Sequence, residues 1–220
     1  MPPERLVPTP KGDARLVVRR AKRPLAMLVL THGAGGGIDA PDLLRLARTL
    51  PQQDISVALV EMPWRVAGKK LAPAPPVIDE CYTAVLDDMR TRSPLVLGGR
   101  SAGARSAART AHHLGASGVL ALAFPLHPPG RPESSRIDEL LGVPVPTLVV
   151  QGERDAFGHP DEFPPDQRIV AVPGADHSFK VPKRAELSQE DVLGLVVEAT
   201  LEFVVRDVVG NRPAAGRVET

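Results

Sequence analysis

The sequence predicts a three-layer α/β fold, a mostly parallel central sheet with helices on both faces and a minimal lid or none. Three observations carry this. Short runs rich in Val, Leu and Ile alternate with longer segments of helical spacing, the rhythm of strands joined by helical crossovers. Hydrophobic residues make up 43% of the 220 positions and aromatics only 3%, so the core is built mainly from Val, Leu, Ala and Ile. No internal repeat or compositional break divides the chain, which reads as one domain over 1–220.

Taken in order, a first strand over 14–19 is expected at a sheet edge, antiparallel to its neighbour. Central strands follow at 25–31, 56–61, 94–98, 118–124, 146–151 and 168–172. Helical spacing covers 41–50 and 77–89, and in the second Ile78, Cys81, Tyr82, Val85 and Met89 share one face. An Ala-rich helix over 102–114 stops at Gly115, a residue suited to a helix end. The last helix, over 188–205, has Ser188 as its N-cap with Asp191 three residues on. Three stretches read as irregular: 63–76, 125–146 with a short helix near 137–141, and a loosely ordered tail after 209.

Charge narrows the function classes. There are 27 Lys plus Arg against 26 Asp plus Glu, and a net +1 gives no electrostatic reason to expect nucleic acid or an anionic membrane as partner. The longest apolar runs, around 25–30 and 148–150, are too short to span a bilayer. The single cysteine, Cys81, cannot form an intrachain disulfide, and no signal-like apolar stretch follows the first residues. A soluble, cytoplasmic protein is expected.

The chemistry begins at Gly99-Arg100-Ser101-Ala102-Gly103, where an apolar strand runs into Gly-x-Ser-x-Gly and a helix follows. In that setting the motif acts as a nucleophile elbow, and the strained turn demands small neighbours, which Gly99, Ala102 and Gly103 supply. A serine needs a base. Of the histidines at 32, 112, 113, 127, 159 and 177, His177 lies on the loop after the last strand and fits the order serine, acid, histidine. Asp155, after the strand at 146–151, is the expected acid, with Glu153 as nearest rival and Asp161 a weaker one. Asp176 adjoins His177, so its side chain should diverge from the imidazole.

An oxyanion hole requires two N–H donors. Ala102, after the nucleophile, supplies one; the loop Thr31-His32-Gly33-Ala34-Gly35-Gly36-Gly37 supplies the other through Ala34, with Gly33 as alternative. His32 reads as a brace beneath that loop. Gly33 and Gly35 would also border the substrate. Trp64 either walls the pocket or packs under the loop, and Arg100 either meets a substrate carboxylate or forms a structural salt bridge. His127 sits in a loop at the same edge, within reach of substrate or merely solvated. Cys81 reads as core. No clustered His and Cys spacing implies a metal, and no organic cofactor is implied.

Together these positions resemble a known group. HGAGG at 32–36, GGRSAG at 98–103, PLHPPG at 125–130, QGERDAFG at 151–158 and Asp176-His177 look like small, cap-less α/β hydrolases of the dienelactone-hydrolase-like kind, from about residue 25 to 205. The resemblance implies an α/β-hydrolase fold and a Ser101, Asp155, His177 triad with Ala34 and Ala102 as oxyanion donors. The lid position of that fold falls in 125–146, only about twenty residues and too short for a substantial helical lid. Enzymes acting on dienelactone use a cysteine nucleophile, whereas position 101 is serine. The expected activity is hydrolysis of an ester or thioester of a small or accessible substrate. Peptidase or acyltransferase chemistry uses the same groups. The group also includes a hydrolase-like region in a chromatin-modifying complex, so a non-catalytic interaction module is the alternative.

Overall fold

A computed structural model describes residues 4–89 and 91–210. Eight strands form one sheet: β1 (Glu4–Thr9), β2 (Gly12–Arg19), β3 (Ala26–Thr31), β4 (Ile55–Glu61), β5 (Leu95–Arg100), β6 (Gly118–Leu122), β7 (Thr147–Gly152) and β8 (Ile169–Val172). Their order is β1-β2-β4-β3-β5-β6-β7-β8. The first two are antiparallel and everything from β4 to β8 is parallel. This is the architecture the resemblance implies. Among the described residues no helix is long and apolar enough to cross a membrane.

The helices are α1 (Pro41–Thr49), α2 (Pro63–Val66), α3 (Pro75–Asp88), α4 (Ala102–Thr110), α5 (Asp138–Leu141) and α6 (Gln189–Glu202). Alternation along the buried strands sends residues to the two faces of the sheet. Leu28 and Leu30 of β3 join Leu43 and Leu46 of α1 and Val192 and Val196 of α6. Met27 and Val29 join Ile78, Tyr82 and Val85 of α3 and Ala107 of α4 on the other face. Arg109 fastens α4 sideways, donating to both Asp79 carboxylate oxygens at 2.7 Å and to Glu139 at 3.0 Å.

Several boundaries depart from the sequence reading. The strand expected over 14–19 begins at Gly12 and is second from the edge, because β1 covers it. Only Val7 of β1 is buried, and Pro8 is tolerable there because an edge strand has an unpaired side. The stretch 63–76 is helical at both ends: α2 occupies its start, and α3 begins on Pro75 and Pro76, where a helix has no N–H partner to lose. β6 stops at Leu122 because Ala123 adopts φ +46°. The last helix is capped by Ser188, whose side chain accepts from the Asp191 N–H, and turns π-helical over Phe203–Val209. Of the expected loose tail, 211–220 lies outside the described residues.

Candidate active site

Ser101 sits between β5 and α4 at φ +54° and ψ −114°, a backbone conformation that non-glycine residues rarely adopt. The small neighbours make room for it. A methyl group on Gly99 or on Gly103 would stand 2.6 Å from the Thr31 carbonyl oxygen, so the elbow is pressed against the end of β3. The Ser101 N–H donates to the Leu122 carbonyl at 2.9 Å, which ties the turn to β6 as well.

Asp155 and His177 meet it there. His177 follows β8, and its Nε2 lies 3.0 Å from the Ser101 Oγ. Its Nδ1 is 2.8 Å from Asp155 Oδ2. A carboxylate only accepts, so the neutral ring carries its proton on Nδ1 and leaves Nε2 to accept from the serine hydroxyl. Asp155 is fully buried and also accepts from Gln151 Nε2 at 2.9 Å and from the Phe157 N–H at 2.8 Å. The Phe157 ring stacks on the imidazole, with centroids 4.2 Å apart and 30° between planes.

The rival acids lie away from the imidazole. Glu153 accepts from the Gly174 N–H at 3.0 Å, and Asp161 stands exposed in a short 3₁₀ turn, Pro160–Glu162. Asp176 diverges from the imidazole, as its adjacency to His177 suggests. Its Oδ1 accepts from the N–H groups of Ser178 at 2.7 Å and Lys180 at 3.0 Å, shaping the loop that presents the histidine.

The glycine-rich loop after β3 closes the other side. A methyl group on Gly33 would lie 3.3 Å from the Ser101 Cβ. The cavity at Ser101, about 440 Å³, is lined by residues 33–37 together with Arg100, Phe157, His177 and Ser178. A larger one, about 700 Å³, lies at the opposite end of β5, far from this chemistry. Among the described residues neither the Ala34 nor the Ala102 N–H has a hydrogen-bond partner.

His32 braces this loop. Its Nδ1–H donates to the Gly33 carbonyl at 2.8 Å and its Nε2 accepts from the Met62 N–H at 3.0 Å. Burial pushes its pKa below the ordinary value, partly offset by the Gly33 carbonyl. Trp64 packs edge-on against His32 at 5.2 Å and lines a separate cavity of about 460 Å³, so it lies under the loop and does not wall the site. His127 is likewise withdrawn: its Nδ1 is 2.9 Å from the Pro128 carbonyl and its Nε2 2.9 Å from Glu162. Those partners hold it outside the Ser101 cavity and, with the Pro128 carbonyl leading, raise its pKa.

Gly33, Gly35 and Arg100 do line the cavity. Arg100 donates from Nη2 to the His177 carbonyl at 3.0 Å and places Nε 3.8 Å from Asp42. Gln151, Phe157 and Asp42 are the neighbours that sequence reasoning missed. The first two lie inside the QGERDAFG stretch at 151–158, so the motif held a signal for them.

The model of the family described as "Alpha/beta hydrolase domain" matches residues 24–205. The chain belongs to that family. Among solved structures, this α/β hydrolase is similar to a lid-free a/b serine hydrolase from Xanthomonas campestris, at 19% identity over 96% of this chain and 97% of that one (TM-score 0.70). A serine hydrolase homologue from Coxiella burnetii matches at 17% identity over 89% and 96% of the two chains (TM-score 0.71). A dienelactone hydrolase from Anabaena variabilis matches at 17% over 94% and 99% (TM-score 0.70). At such identities the likeness to these structures is one of fold.

Proposed function

We propose that this α/β hydrolase is a serine hydrolase that cleaves an ester or thioester of a small or accessible substrate. The observation that carries the reading is the unbroken series of contacts from Asp155 through His177 to Ser101, at 2.8 and 3.0 Å. In the first step His177 Nε2 takes the hydroxyl proton as Ser101 Oγ attacks the substrate carbonyl carbon. Asp155 keeps the imidazole in the reactive tautomer and stabilises its positive charge. The oxyanion accepts from the Ala34 and Ala102 N–H groups, and the start of α4 adds its positive dipole end. The imidazolium then protonates the leaving group. Water, deprotonated by the same histidine, releases the acyl group and restores the serine.

The open cavity, bordered largely by glycine backbone, favours small acyl groups. The single buried cysteine, Cys81, accords with a reducing compartment such as the cytoplasm.

The test is covalent labelling with a fluorophosphonate, together with p-nitrophenyl acetate turnover. Wild-type protein should label, and Ser101→Ala should not. Turnover by Ser101→Ala and His177→Ala should fall by roughly 10³–10⁶. Absence of labelling in wild type would favour a non-catalytic interaction module. Labelling with turnover of amides but not esters, or with acyl transfer in place of hydrolysis, would redirect the reading to a peptidase or acyltransferase.

A further inference from the structure

We propose that Arg100 and Asp42 act as a pair of positioning residues that hold the main chain of His177 against the nucleophile elbow. The inference rests on the serine-hydrolase reading above. His177 is carried beyond β8, the four-residue strand at the end of the sheet. Asp155 fixes the direction of the ring, but a ring can keep that bond while its backbone drifts. Among the described residues the His177 carbonyl has one hydrogen bond, the one it accepts from Arg100 Nη2 at 3.0 Å. Arg100 immediately precedes Ser101, so nucleophile and clamp leave the same strand end.

Asp42 explains how the clamp is aimed. It belongs to the first turn of α1, just beyond the glycine-rich loop, and its carboxylate is completely buried. Neither carboxylate oxygen makes a well-formed hydrogen bond, and the Arg100 Nε is unpartnered apart from the 3.8 Å approach to Asp42. An isolated carboxylate is costly to bury, which the rise in its pKa through burial reflects; the Arg100 charge opposes that rise. The attraction draws the Nε side of the guanidinium inward and leaves Nη2 directed at His177. A planar fork can serve both partners at once. A lysine ammonium is a single point charge on a flexible stem and cannot. The end of β5, the first turn of α1 and the loop after β8 therefore converge on one guanidinium.

The test compares Arg100→Lys, Asp42→Asn and the apolar double variant Arg100→Met with Asp42→Leu. The double variant removes both charges together and so leaves neither one buried alone. Turnover of p-nitrophenyl acetate should fall roughly 10- to 100-fold in kcat in all three, since about 1 Å of misplacement has that effect. KM should stay within about threefold, because Nη2 is engaged by the His177 carbonyl and Nε faces Asp42, so the loss falls on the reacting geometry. The low-field proton resonance of His177 Nδ1–H should broaden or vanish in each variant. Circular-dichroism melts of the three proteins keep a folding defect distinct from a positioning one.

A role limited to neutralising Asp42 predicts the reverse: Arg100→Lys and the folded double variant would keep wild-type kcat and an unchanged resonance, which would overturn the proposal. The resonance does not depend on turnover. If wild-type protein neither labels nor hydrolyses, the serine-hydrolase reading fails, while retention or loss of that signal in the variants still decides the clamp.

Discussion

Gln151 Nε2 donates at 2.9 Å to Asp155 Oδ2, the same oxygen that accepts from His177 at 2.8 Å. The amide also reaches the carbonyls of Phe124 at 3.1 Å and Gly158 at 2.9 Å. One buried side chain thus joins the exit of β6, the end of β7 and the acid.

Replacing it should be felt in both stability and turnover. Gln151→Leu removes the two N–H donors that Phe124, Asp155 and Gly158 share, and urea unfolding should show a loss of about 1–3 kcal/mol. Gln151→Glu sets a second carboxylate beside Asp155, so its kcat should fall further than that of the leucine variant. Wild-type behaviour in both would mean that Asp155 is held by its other bonds alone.

Phe157 offers a cleaner separation, because its N–H and its ring do different things. Phe157→Leu keeps the backbone bond to Asp155 and removes the aromatic face stacked on His177. Such contacts are worth about 0.5–1.5 kcal/mol. The second-order rate of fluorophosphonate labelling should drop roughly threefold to tenfold, with the melting temperature less affected than in Gln151→Leu.

Two glycines should respond in opposite ways to alanine. In Gly103→Ala the new methyl would lie 2.6 Å from the Thr31 carbonyl oxygen and 2.9 Å from that of His32, so α4 must move off the sheet. A stability loss of about 1–3 kcal/mol or more is expected by urea titration. In Gly33→Ala the methyl meets the Ser101 Cβ at 3.3 Å, a tight but tolerable contact. That variant should melt close to wild type yet label slowly, because the group crowds the approach to the hydroxyl.

Acid should loosen the protein through His32. Burial holds its pKa below the ordinary value, so the unfolded chain takes up the proton first as pH falls. Its stabilising contribution is complete above the unfolded value of about 6.5 and is lost as pH drops through the lower folded value. Protonation of Nε2 also removes the acceptor for the Met62 N–H. His32→Gln keeps an acceptor there without a titrating ring. The stability difference between wild type and variant should therefore shrink between about pH 7.5 and about pH 5. A constant difference across that range would exclude His32 as the source.

The part of the site that could be read from sequence is the part written in local constraints. Small residues around Ser101 announce a turn pressed against a strand. Asp155 and His177 follow from their places after β7 and β8. What escaped depends on neighbours distant in the chain. An aspartate in a first helical turn, as at position 42, looks like ordinary helix chemistry, and only the completed fold brings it beside Arg100. Whether Trp64 faced substrate or the underside of a loop was decided by His32, and the position of His127 by Glu162. The strand β1 stayed hidden for a simpler reason: with one buried residue and a proline it carries almost no apolar signal.

The sheet order has a consequence for how the protein matures. Ser101 leaves β5 and His177 leaves β8, with β6 and β7 standing between those strands. Each of these pairings is parallel and non-local, the kind that closes slowly because a long stretch of chain must be ordered before the contact forms. A chain in which β8 has not yet docked has no base beside the serine. On the proposed chemistry, Ser101 therefore gains its base only once the far edge of the sheet has joined.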